Sequence, residues 1–368
     1  MAPGSSEGPQ VPPLALRALL VDWIRGVTSA MLPTFRDFED GRQMGSGSRE
    51  PNIEAKFQAK KRAWARRPAI LQTRHRIYLG DARSMTELGS EPIIHLVVTS
   101  PPYWNLKEYP HQNPSQLGNL ADYGGFLAQL QSVWQRCLEL LVPGGRLCVV
   151  VGDVCLSRRK AGRHSVVPLH ADISRQCVKL GLDYLSPILW YKIANAATEV
   201  QGNGAGFLGK PCEPNSVIKN DVEYILIFRK PGGYRTPSPD QRALSVIDRQ
   251  DHERWFRQVW TDVPGQVRVH GHPAPFPQEI AFRLISMFSF VGDTVLDPFS
   301  GIGTTIMAAR EAHRSSIGFE IEPRYVEIAE SRMQSLFASD HVEFLTSNPG
   351  KEPSHPNFRN EALTDAGP

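Results

Sequence analysis

Residues Thr99 to Trp104, Thr-Ser-Pro-Pro-Tyr-Trp, combine side chains that can do chemistry with a turn that can hold them still. They follow an apolar run, Ile93 to Val98, which predicts a buried strand. Two successive prolines make the turn after this strand rigid, so it presents a hydroxyl, fixed carbonyls and an aromatic ring together. Oxygen atoms can accept the hydrogens of an exocyclic amine while an aromatic face stacks a planar ring. The pattern favours chemistry on the amino group of a flat base.

A second segment, Val-Leu-Asp-Pro-Phe-Ser-Gly-Ile-Gly-Thr-Thr over residues 295–305, is typical of a loop that binds a nucleotide cofactor. Asp297 ends a predicted strand, two glycines permit a tight turn, and Thr304 opens a predicted helix. Glu320 lies 23 residues after Asp297, at the end of the next predicted strand, where a carboxylate can bind ribose hydroxyls. Together these features predict an adenosine-containing ligand.

The glycine pattern is shorter than the one that binds dinucleotides, because position 306 is Ile where a third glycine would stand. Nicotinamide and flavin dinucleotides place a pyrophosphate on the helix N-terminus, and S-adenosylmethionine has no phosphate. The loop therefore favours S-adenosylmethionine. Two structural alternatives stay open: Asp297 could cap the turn, and Gly303 could serve only packing between elements.

Strands that alternate with helices and are apolar throughout predict a doubly wound, Rossmann-like α/β fold with a mostly parallel sheet. The predicted strands are 75–79, 93–99, 146–151, 184–191, 221–228, 294–297, 316–320 and 341–344, and the predicted helices are 125–141, 170–180, 277–288, 303–312 and 323–336. A helix that ends at Pro143-Gly144-Gly145 separates the second and third strands.

The catalytic domain is predicted over 73–346, with flanking and inserted segments that lack this rhythm. Residues 230–271, rich in Pro, Arg, Asp and Gln, are predicted to be a small inserted module. The predicted parts are an N-terminal extension (1–72, partly disordered, with a basic helix over 52–67), a catalytic half (73–229), the inserted module (230–271), a cofactor half (272–346) and a disordered tail (347–368).

Composition is that of a globular protein that can bind nucleic acid. The 368 residues are 41% hydrophobic and 21% charged, with a net charge of +3. Nine Lys or Arg and two Glu lie between Arg49 and Arg76, and a second basic cluster covers residues 158–164. Such clusters can neutralise phosphates, or they can be solvated faces of the protein.

Neither metal binding nor membrane insertion is indicated by the sequence. The five cysteines form no CxxC pair, so we expect reduced, mostly buried thiols in the cytoplasm and no metal site. No apolar run approaches the roughly 18 residues that a membrane helix needs, and the N-terminus lacks the pattern of a secretory signal.

From Arg74 to Met333 the ordered motifs resemble those of amino-methylating DNA methyltransferases, in the permuted group whose catalytic motif precedes the cofactor motif. The similarity is carried by the catalytic turn, Asn220–Leu226, His272–Pro277, Asp297–Thr305 and Gly318–Glu320. A Ser-Pro-Pro-Tyr turn, rather than Asp-Pro-Pro-Tyr, is the variant associated with methylation at N4 of cytosine. The resemblance implies DNA as substrate, S-adenosylmethionine as methyl donor, and target recognition by the inserted module.

The resemblance also implies a role for each site residue. Asp153, at the end of a predicted strand, is either a further acceptor for the amine or a cap of the following turn, and Trp104 lines the base pocket or belongs to the core. The implied catalytic residues are Ser100, Pro101, Pro102, Tyr103 and Asp153; the implied cofactor residues are Asp81 near the adenine, Pro275 and Phe276 near the methionine moiety, Asp297, Phe299, Gly301, Gly303 and Thr304 in the loop, and Glu320 at the ribose.

Three other functions remain open at this point. The same fold can methylate N6 of adenine, a nicotinamide-dependent oxidoreductase shares the general sheet architecture, and a relative without activity could still bind DNA. A cognate restriction endonuclease is a possible partner of the leading alternative, which could also be a solitary enzyme.

Overall fold

A computed structural model describes residues 73–104, 115–192, 220–265, 276–334 and 341–346. The predicted N-terminal extension, its basic helix and the predicted tail lie outside these residues. Within the described part, no helix is long and apolar enough to cross a membrane.

Nine strands of the described chain form one sheet in the order β11-β1-β10-β9-β2-β3-β7-β6-β8. All neighbouring pairs are parallel except β3–β7 and β6–β7, so only β7 runs against the others. The strands are β1 (Arg74–Leu79), β2 (Ile94–Thr99), β3 (Leu141–Val151), β6 (Asp183–Tyr191), β7 (Val222–Arg229), β8 (Val259–Trp260), β9 (Thr294–Asp297), β10 (Ser315–Glu320) and β11 (His341–Thr346), and a separate two-stranded sheet pairs β4 (Val154–Leu156) with β5 (Ser165–Val167).

Helices cover both faces of the sheet, which confirms the predicted doubly wound α/β fold. Alternate residues of a strand point to opposite faces. Val97 of β2 therefore packs in one core, and Leu96 and Val98 pack in the other. The helices are α1 (Tyr123–Leu140), α2 (Arg158–Ala161), α3 (Leu169–Lys179), α4 (Pro239–Leu244), α5 (Arg249–Trp255), α6 (Gln278–Phe288), α7 (Thr304–Glu311) and α8 (Pro323–Gln334).

Helices α1 and α3 cover one face, and α6 and α7 cover the other. Phe126, Leu130 and Trp134 of α1 are fully buried in the core shared with Val97. Ile280, Leu284 and Ala308 belong to the core on the other face. Because both faces are apolar, the central strands are nearly continuous hydrophobic runs, as the sequence pattern predicts.

One predicted boundary is wrong. Pro143-Gly144-Gly145 does not separate α1 from a later strand, because β3 begins at Leu141 and includes these residues. The register between β2 and β3 shifts between Ile94 and Leu96, opposite the two glycines, and Gly144 has φ 76°. The strand accommodates them as an irregularity in its first half.

The segment predicted as an inserted module contributes to the sheet. Its described part, residues 230–265, contains α4, α5 and β8, and β8 extends the sheet beside β6. Trp255, Trp260 and Val263 are buried in the core shared with α6. Short helices and a two-residue strand leave no apolar period to read, so the sequence pattern did not reveal this packing.

Candidate active site

The catalytic turn and the cofactor loop begin at the same end of two neighbouring strands. Strands β2 and β9 are parallel, with Leu96 beside Val295 and Val97 beside Leu296. Thr99 ends β2 and Asp297 ends β9, and the Thr99 hydroxyl donates a hydrogen bond of 2.7 Å to Asp297 Oδ1. In open parallel sheets, ligands bind outside the carboxyl ends of the strands. The two motifs, separated by 198 positions in the sequence, therefore lie at one site.

Hydrogen bonds in the catalytic turn orient the Ser100 hydroxyl. The Tyr103 hydroxyl donates to the backbone carbonyl of Val150 at 3.4 Å, and it lies 3.3 Å from Ser100 Oγ. A phenol has one hydrogen to donate, so Ser100 is the donor to the Tyr103 oxygen. The lone pairs of Ser100 Oγ then remain available to accept a hydrogen from another group. Pro101 and Pro102 are buried and support the turn.

Tyr103 approaches the backbone of β3 and a buried ion pair closely. A Cβ atom on Gly152 would lie 3.3 Å from Tyr103 Cε2 and 3.2 Å from Glu223 Cγ. Glu223, 6% exposed, pairs with Lys192, and the Lys192 ammonium lies 5.5 Å from the centre of the Trp190 ring. Because Gly152 has no side chain, the Tyr103 ring fits against the sheet. The Glu223 side chain of the ion pair lies next to the same glycine.

Trp104 completes the turn in an uncommon backbone conformation. Its φ is 46°, in the left-handed region that residues other than glycine rarely adopt. The indole packs edge-on against Tyr123, with ring centroids 5.0 Å apart. Its Nε1 is buried and has no hydrogen-bond partner in the described part of the chain. Trp104 is half-buried and packs against the core on the α1 side, and its place in the base pocket stays a prediction.

Asp153 lies at the same edge, just after β3, and binds a residue that sequence reasoning missed. Its Oδ1 is 2.6 Å from His170 Nδ1 and accepts a second hydrogen bond, of 3.3 Å, from the His170 backbone N–H. The His170 ring stacks on Tyr224, with centroids 3.8 Å apart and 7° between the planes. Asp153 therefore accepts hydrogen bonds from the first turn of α3 rather than from the turn that directly follows β3, and His170 holds its carboxylate in place. The sequence signal was weak, since His170 only opens a predicted helix.

In the cofactor loop, Glu320 is an acceptor with capacity left for a ligand. Its Oε2 accepts from the Gly301 N–H at 2.9 Å and its Oε1 from the Glu322 N–H at 2.8 Å. Burial raises the pKa of Glu320 to about 7, against the opposing effect of these hydrogen bonds. The Ile321 backbone N–H also donates to this carboxylate, so of about four acceptor positions on its two oxygens one remains. Gly301, with φ 52°, forms the turn that brings the loop to this carboxylate.

Asp297, predicted to contact the cofactor, is bound by donors of the protein itself. Its side chain is 1% exposed and accepts three hydrogen bonds: from Thr99, from the Thr305 hydroxyl at 2.5 Å, and from the Phe299 N–H at 3.0 Å. Burial raises its pKa to about 6. Since protein donors surround this carboxylate, Asp297 is a positioning residue that joins the catalytic strand, the cofactor loop and α7.

Gly303 lies close against helix α8. It precedes α7 with φ 81°, and a Cβ atom there would lie 2.7 Å from Met333 Cε and 3.3 Å from Ala329 Cβ, both on α8. The missing side chain therefore makes room for helix packing, which was the alternative to cofactor contact. Thr304 is the first residue of α7 and is 8% exposed.

The other predicted cofactor residues surround this edge. Phe299 is half-buried and contacts Trp134 edge-on, with centroids 6.4 Å apart. Asp81 follows β1, which pairs with β10, and its carboxylate binds Arg83 Nε at 2.9 Å. Phe276 is half-buried just before α6, and Pro275 lies outside the described residues. The contacts of these residues with a ligand stay predictions.

The residues present fit the adenosine and ribose of S-adenosylmethionine. Glu320 keeps an acceptor position for a ribose hydroxyl, and Gly301 and Gly303 let the loop approach a ligand through its backbone. No array of phosphate-binding groups is needed for this cofactor. The donor and acceptor set at the edge of β9 and β10 thus matches the predicted ligand.

Comparison with known proteins agrees with this site. Residues 94–331 match the N6/N4 DNA methylase family. Type II methyltransferase M.MjaI of Methanocaldococcus jannaschii is 38% identical over 306 residues, which cover 75% of this chain and 97% of that protein.

Two solved structures share the fold. The DNA modification methylase TTHA0409 of Thermus thermophilus, complexed with S-adenosyl-L-methionine, has a TM-score of 0.61 and 46% identity, covering 74% of this chain and 99% of that one. The cytosine-N4-specific PvuII DNA methyltransferase has a TM-score of 0.52 and 18% identity, covering 75% and 97%, which is a likeness of fold. This chain belongs to the N6/N4 family of DNA methylases and uses S-adenosylmethionine as its methyl donor.

Proposed function

We propose that this enzyme methylates the exocyclic N4 amine of cytosine in DNA and belongs to the permuted group of amino-methylating enzymes. The observation that carries the proposal is the oriented Ser100 hydroxyl, which donates to Tyr103 and keeps its lone pairs free at the edge shared with the cofactor loop. The Ser-Pro-Pro-Tyr turn is the form associated with cytosine in the family that this chain resembles.

The amine of cytosine is a poor nucleophile because its lone pair is delocalised into the ring. In this proposal Ser100 Oγ and the Pro101 carbonyl accept its two hydrogens and hold them out of the ring plane. This arrangement returns the lone pair to nitrogen and stabilises the positive charge that develops there. A carbon–nitrogen bond forms as a carbon–sulfur bond breaks, and nitrogen then loses one proton.

Each of the other site residues has a part in this reaction. S-adenosylmethionine supplies an electrophilic methyl group on a positively charged sulfur. Glu320 binds the ribose, and Asp297 fixes the position of the cofactor loop relative to the catalytic strand. The target base must leave the duplex because its amine is otherwise out of reach, and Tyr103 stacks the extruded base. Such stacking contributes roughly 1–3 kcal/mol.

Asp153 and His170 lie on the side of the catalytic turn opposite the cofactor loop, because β9 and β3 flank β2 in the sheet. We propose that the Asp153 carboxylate, held by His170, is a further acceptor that favours the cationic nitrogen of the reacting amine. Its hydrogen bonds to the ring and backbone of His170 leave acceptor positions on the carboxylate. A charged acceptor forms a stronger hydrogen bond than a neutral one.

Analysis of the methylated nucleoside tests the proposal directly. DNA from a host that expresses the enzyme is digested to nucleosides and separated by mass spectrometry, with a Ser100→Ala strain as the control. We expect N4-methylcytosine in the wild-type sample alone. N6-methyladenine in its place would leave the family assignment intact and replace cytosine by adenine in the proposal.

Target recognition is proposed for the exposed face of residues 230–271. Its buried residues, Trp255, Trp260 and Val263, support the sheet, so an exchange with a relative's segment should keep them. Such an exchange is expected to alter the preferred DNA sequence more than the affinity for S-adenosylmethionine, measured by modification-sensitive sequencing and by calorimetry. An altered cofactor affinity with an unchanged sequence preference would reject the assignment.

A cognate restriction endonuclease is the second partner that we propose, with both proteins acting in the cytoplasm. The relatives named Type II methyltransferases support this pairing. DNA methylated by this enzyme should resist cleavage by such an endonuclease, and full cleavage of the methylated DNA would mark a solitary enzyme.

A further inference from the structure

The hairpin formed by β4 and β5 projects from the catalytic edge of the molecule. It is a separate two-stranded sheet in which Val154 pairs with Val167 and Leu156 with Ser165. It begins directly after Asp153 and ends shortly before His170. Strand β3 runs into it from the same edge at which β2 and β9 end. The hairpin thus starts beside the proposed base pocket.

The base of the hairpin is fixed to the catalytic domain. Val154 is 1% exposed and Leu169 is fully buried, both in the core beneath α1 and α3. The bond between Asp153 Oδ1 and His170 Nδ1 closes the base from one end to the other. Leu156 and Val167 also pack against this core, so the hairpin is held along its length, and Arg158, Arg159 and Arg163 lie in the exposed connection between its strands.

The tip of the hairpin carries three arginines without compensating charge. Arg158, Arg159 and Arg163 are exposed, and none has an ion pair or hydrogen bond to the described residues. Gly162, with φ 74°, turns the chain between them. Some basic residues elsewhere in the described chain do have acidic partners, for example Arg254 with Asp262 and Arg229 with Asp183. The tip is therefore a compact site of uncompensated positive charge.

We propose that this hairpin binds the phosphate backbone of duplex DNA beside the extruded nucleotide. The inference rests on the proposed function for the placement of the base at the catalytic turn. Guanidinium groups match phosphate oxygens through paired N–H donors, and the fixed base holds the tip at a constant distance from Tyr103. Contacts of this kind position DNA without reading its sequence. The hairpin is thus a docking element that sets how the duplex lies against the site.

The test is the salt dependence of DNA binding by the full-length protein. The variant R158Q/R159Q/R163Q and the wild type are titrated with a 30-base-pair duplex by fluorescence anisotropy, over a series of salt concentrations. Each phosphate contact contributes about 0.9 to the slope of log K against log salt concentration. We expect the variant to lose about 2.7 from this slope and on the order of 100-fold in affinity at 0.15 M salt. Calorimetry with S-adenosylmethionine should give an unchanged Kd, which shows that the variant is folded.

A charge-matched variant controls for net charge. Arg74, Arg175 and Lys179 are exposed. Arg74 begins β1, and α3, which carries the other two, leads into the amino end of β6, away from the catalytic edge. The triple substitution R74Q/R175Q/K179Q should keep most of the slope. Equal losses in both variants, or an unchanged slope in the hairpin variant, would overturn the inference. Failure of the wild type to bind duplex DNA would instead count against the function, and an adenine product would leave this result unaffected.

Discussion

The Thr99 hydroxyl and the Asp297 carboxylate form a buried hydrogen bond of 2.7 Å between the catalytic strand and the cofactor strand. Asp297 also accepts from Thr305 and from the Phe299 backbone, so one carboxylate connects three parts of the site. The relative position of methyl donor and acceptor therefore depends on this residue. Small errors in such alignment are costly for a transfer that requires reacting atoms in line.

Replacing Thr99 by Val should weaken the link between the catalytic strand and the cofactor strand. Valine has nearly the same shape as threonine but no hydroxyl to donate to Asp297. The variant removes one donor from a buried carboxylate, and we expect a loss of about 1–3 kcal/mol in the free energy of unfolding. We also expect kcat to fall more than the affinity for S-adenosylmethionine, because the cofactor's own contacts remain. Denaturant melts and steady-state kinetics measure the two effects.

Thr294→Val is the matched control for this variant. Thr294 is a buried threonine on β9 whose hydroxyl makes no hydrogen bond to the described residues. Its replacement should leave kcat near the wild-type value. Equal kinetic effects of the two substitutions would refute a specific role for the Thr99–Asp297 bond.

Two substitutions of Tyr103 should separate its stacking from its effect on Ser100. Tyr103→Phe keeps the aromatic face and removes the oxygen to which Ser100 donates, so the serine hydroxyl loses its orientation. We expect kcat to fall about tenfold, which corresponds to about 1.4 kcal/mol in the barrier. Tyr103→Ala also removes the stacking contribution of roughly 1–3 kcal/mol and should be slower still. Single-turnover methylation assays at saturating cofactor measure the order, and equal rates for the two variants would contradict it.

The Asp153–His170 bond should matter for the reaction and not for cofactor binding. His170→Phe preserves a planar ring against Tyr224 and removes the Nδ1 partner of the carboxylate. We expect a lower kcat with an unchanged Kd for S-adenosylmethionine, measured by steady-state kinetics and calorimetry. If the variant shows the wild-type kcat, His170 only packs against Tyr224.

Cofactor affinity should depend on pH through Glu320. Burial raises its pKa to about 7, and the ionised carboxylate is the better acceptor for ribose hydroxyls. Binding of S-adenosylmethionine is therefore expected to weaken as the pH falls from 8 to 6, by up to about tenfold. In Glu320→Gln the affinity should be lower throughout and vary less with pH. Calorimetry across this range checks both statements.

The Glu320 carboxyl group should affect folding stability with the opposite pH dependence. Its contribution to the free energy of unfolding falls as the pH rises, whereas cofactor affinity increases. A carboxyl whose pKa rises on folding holds its proton more tightly in the folded state, so its contribution is greatest below about pH 4.5 and is lost as the pH rises through 7. Without cofactor, Glu320→Gln should therefore gain stability over the wild type between pH 5 and 8, on the order of 3 kcal/mol at most. The charge of Asp297 has the smallest effect on the Glu320 pKa, so the difference between the two unfolding curves reports mainly on Glu320. A difference that does not vary with pH would exclude this account.

Local patterns in the sequence were sufficient for the fold class and for the two motifs. Apolar runs, helical periodicity and turn residues act over a few neighbouring positions, so strand β9 was predicted with its observed bounds, Thr294–Asp297. The pairing of Ser100 with Tyr103 also lies within one turn. The Ser-Pro-Pro-Tyr and Asp-Pro-Phe-Ser-Gly-Ile-Gly motifs could be related to one site because parallel strands end at the same edge.

Tertiary packing alone decided the roles of several residues within those motifs. Asp297 and Glu320 look alike in the sequence, but Asp297 accepts from the hydroxyls of Thr99 and Thr305, whereas Glu320 accepts only from backbone N–H groups. Gly303 lacks a side chain because α8 occupies the space, and His170 joins Asp153 across 17 positions. Burial and partners of this kind depend on how distant elements pack and on sheet register. The sequence pattern gives residue types and their spacing. It does not say which distant groups meet in the folded protein, and the free energy of a buried contact depends on those groups.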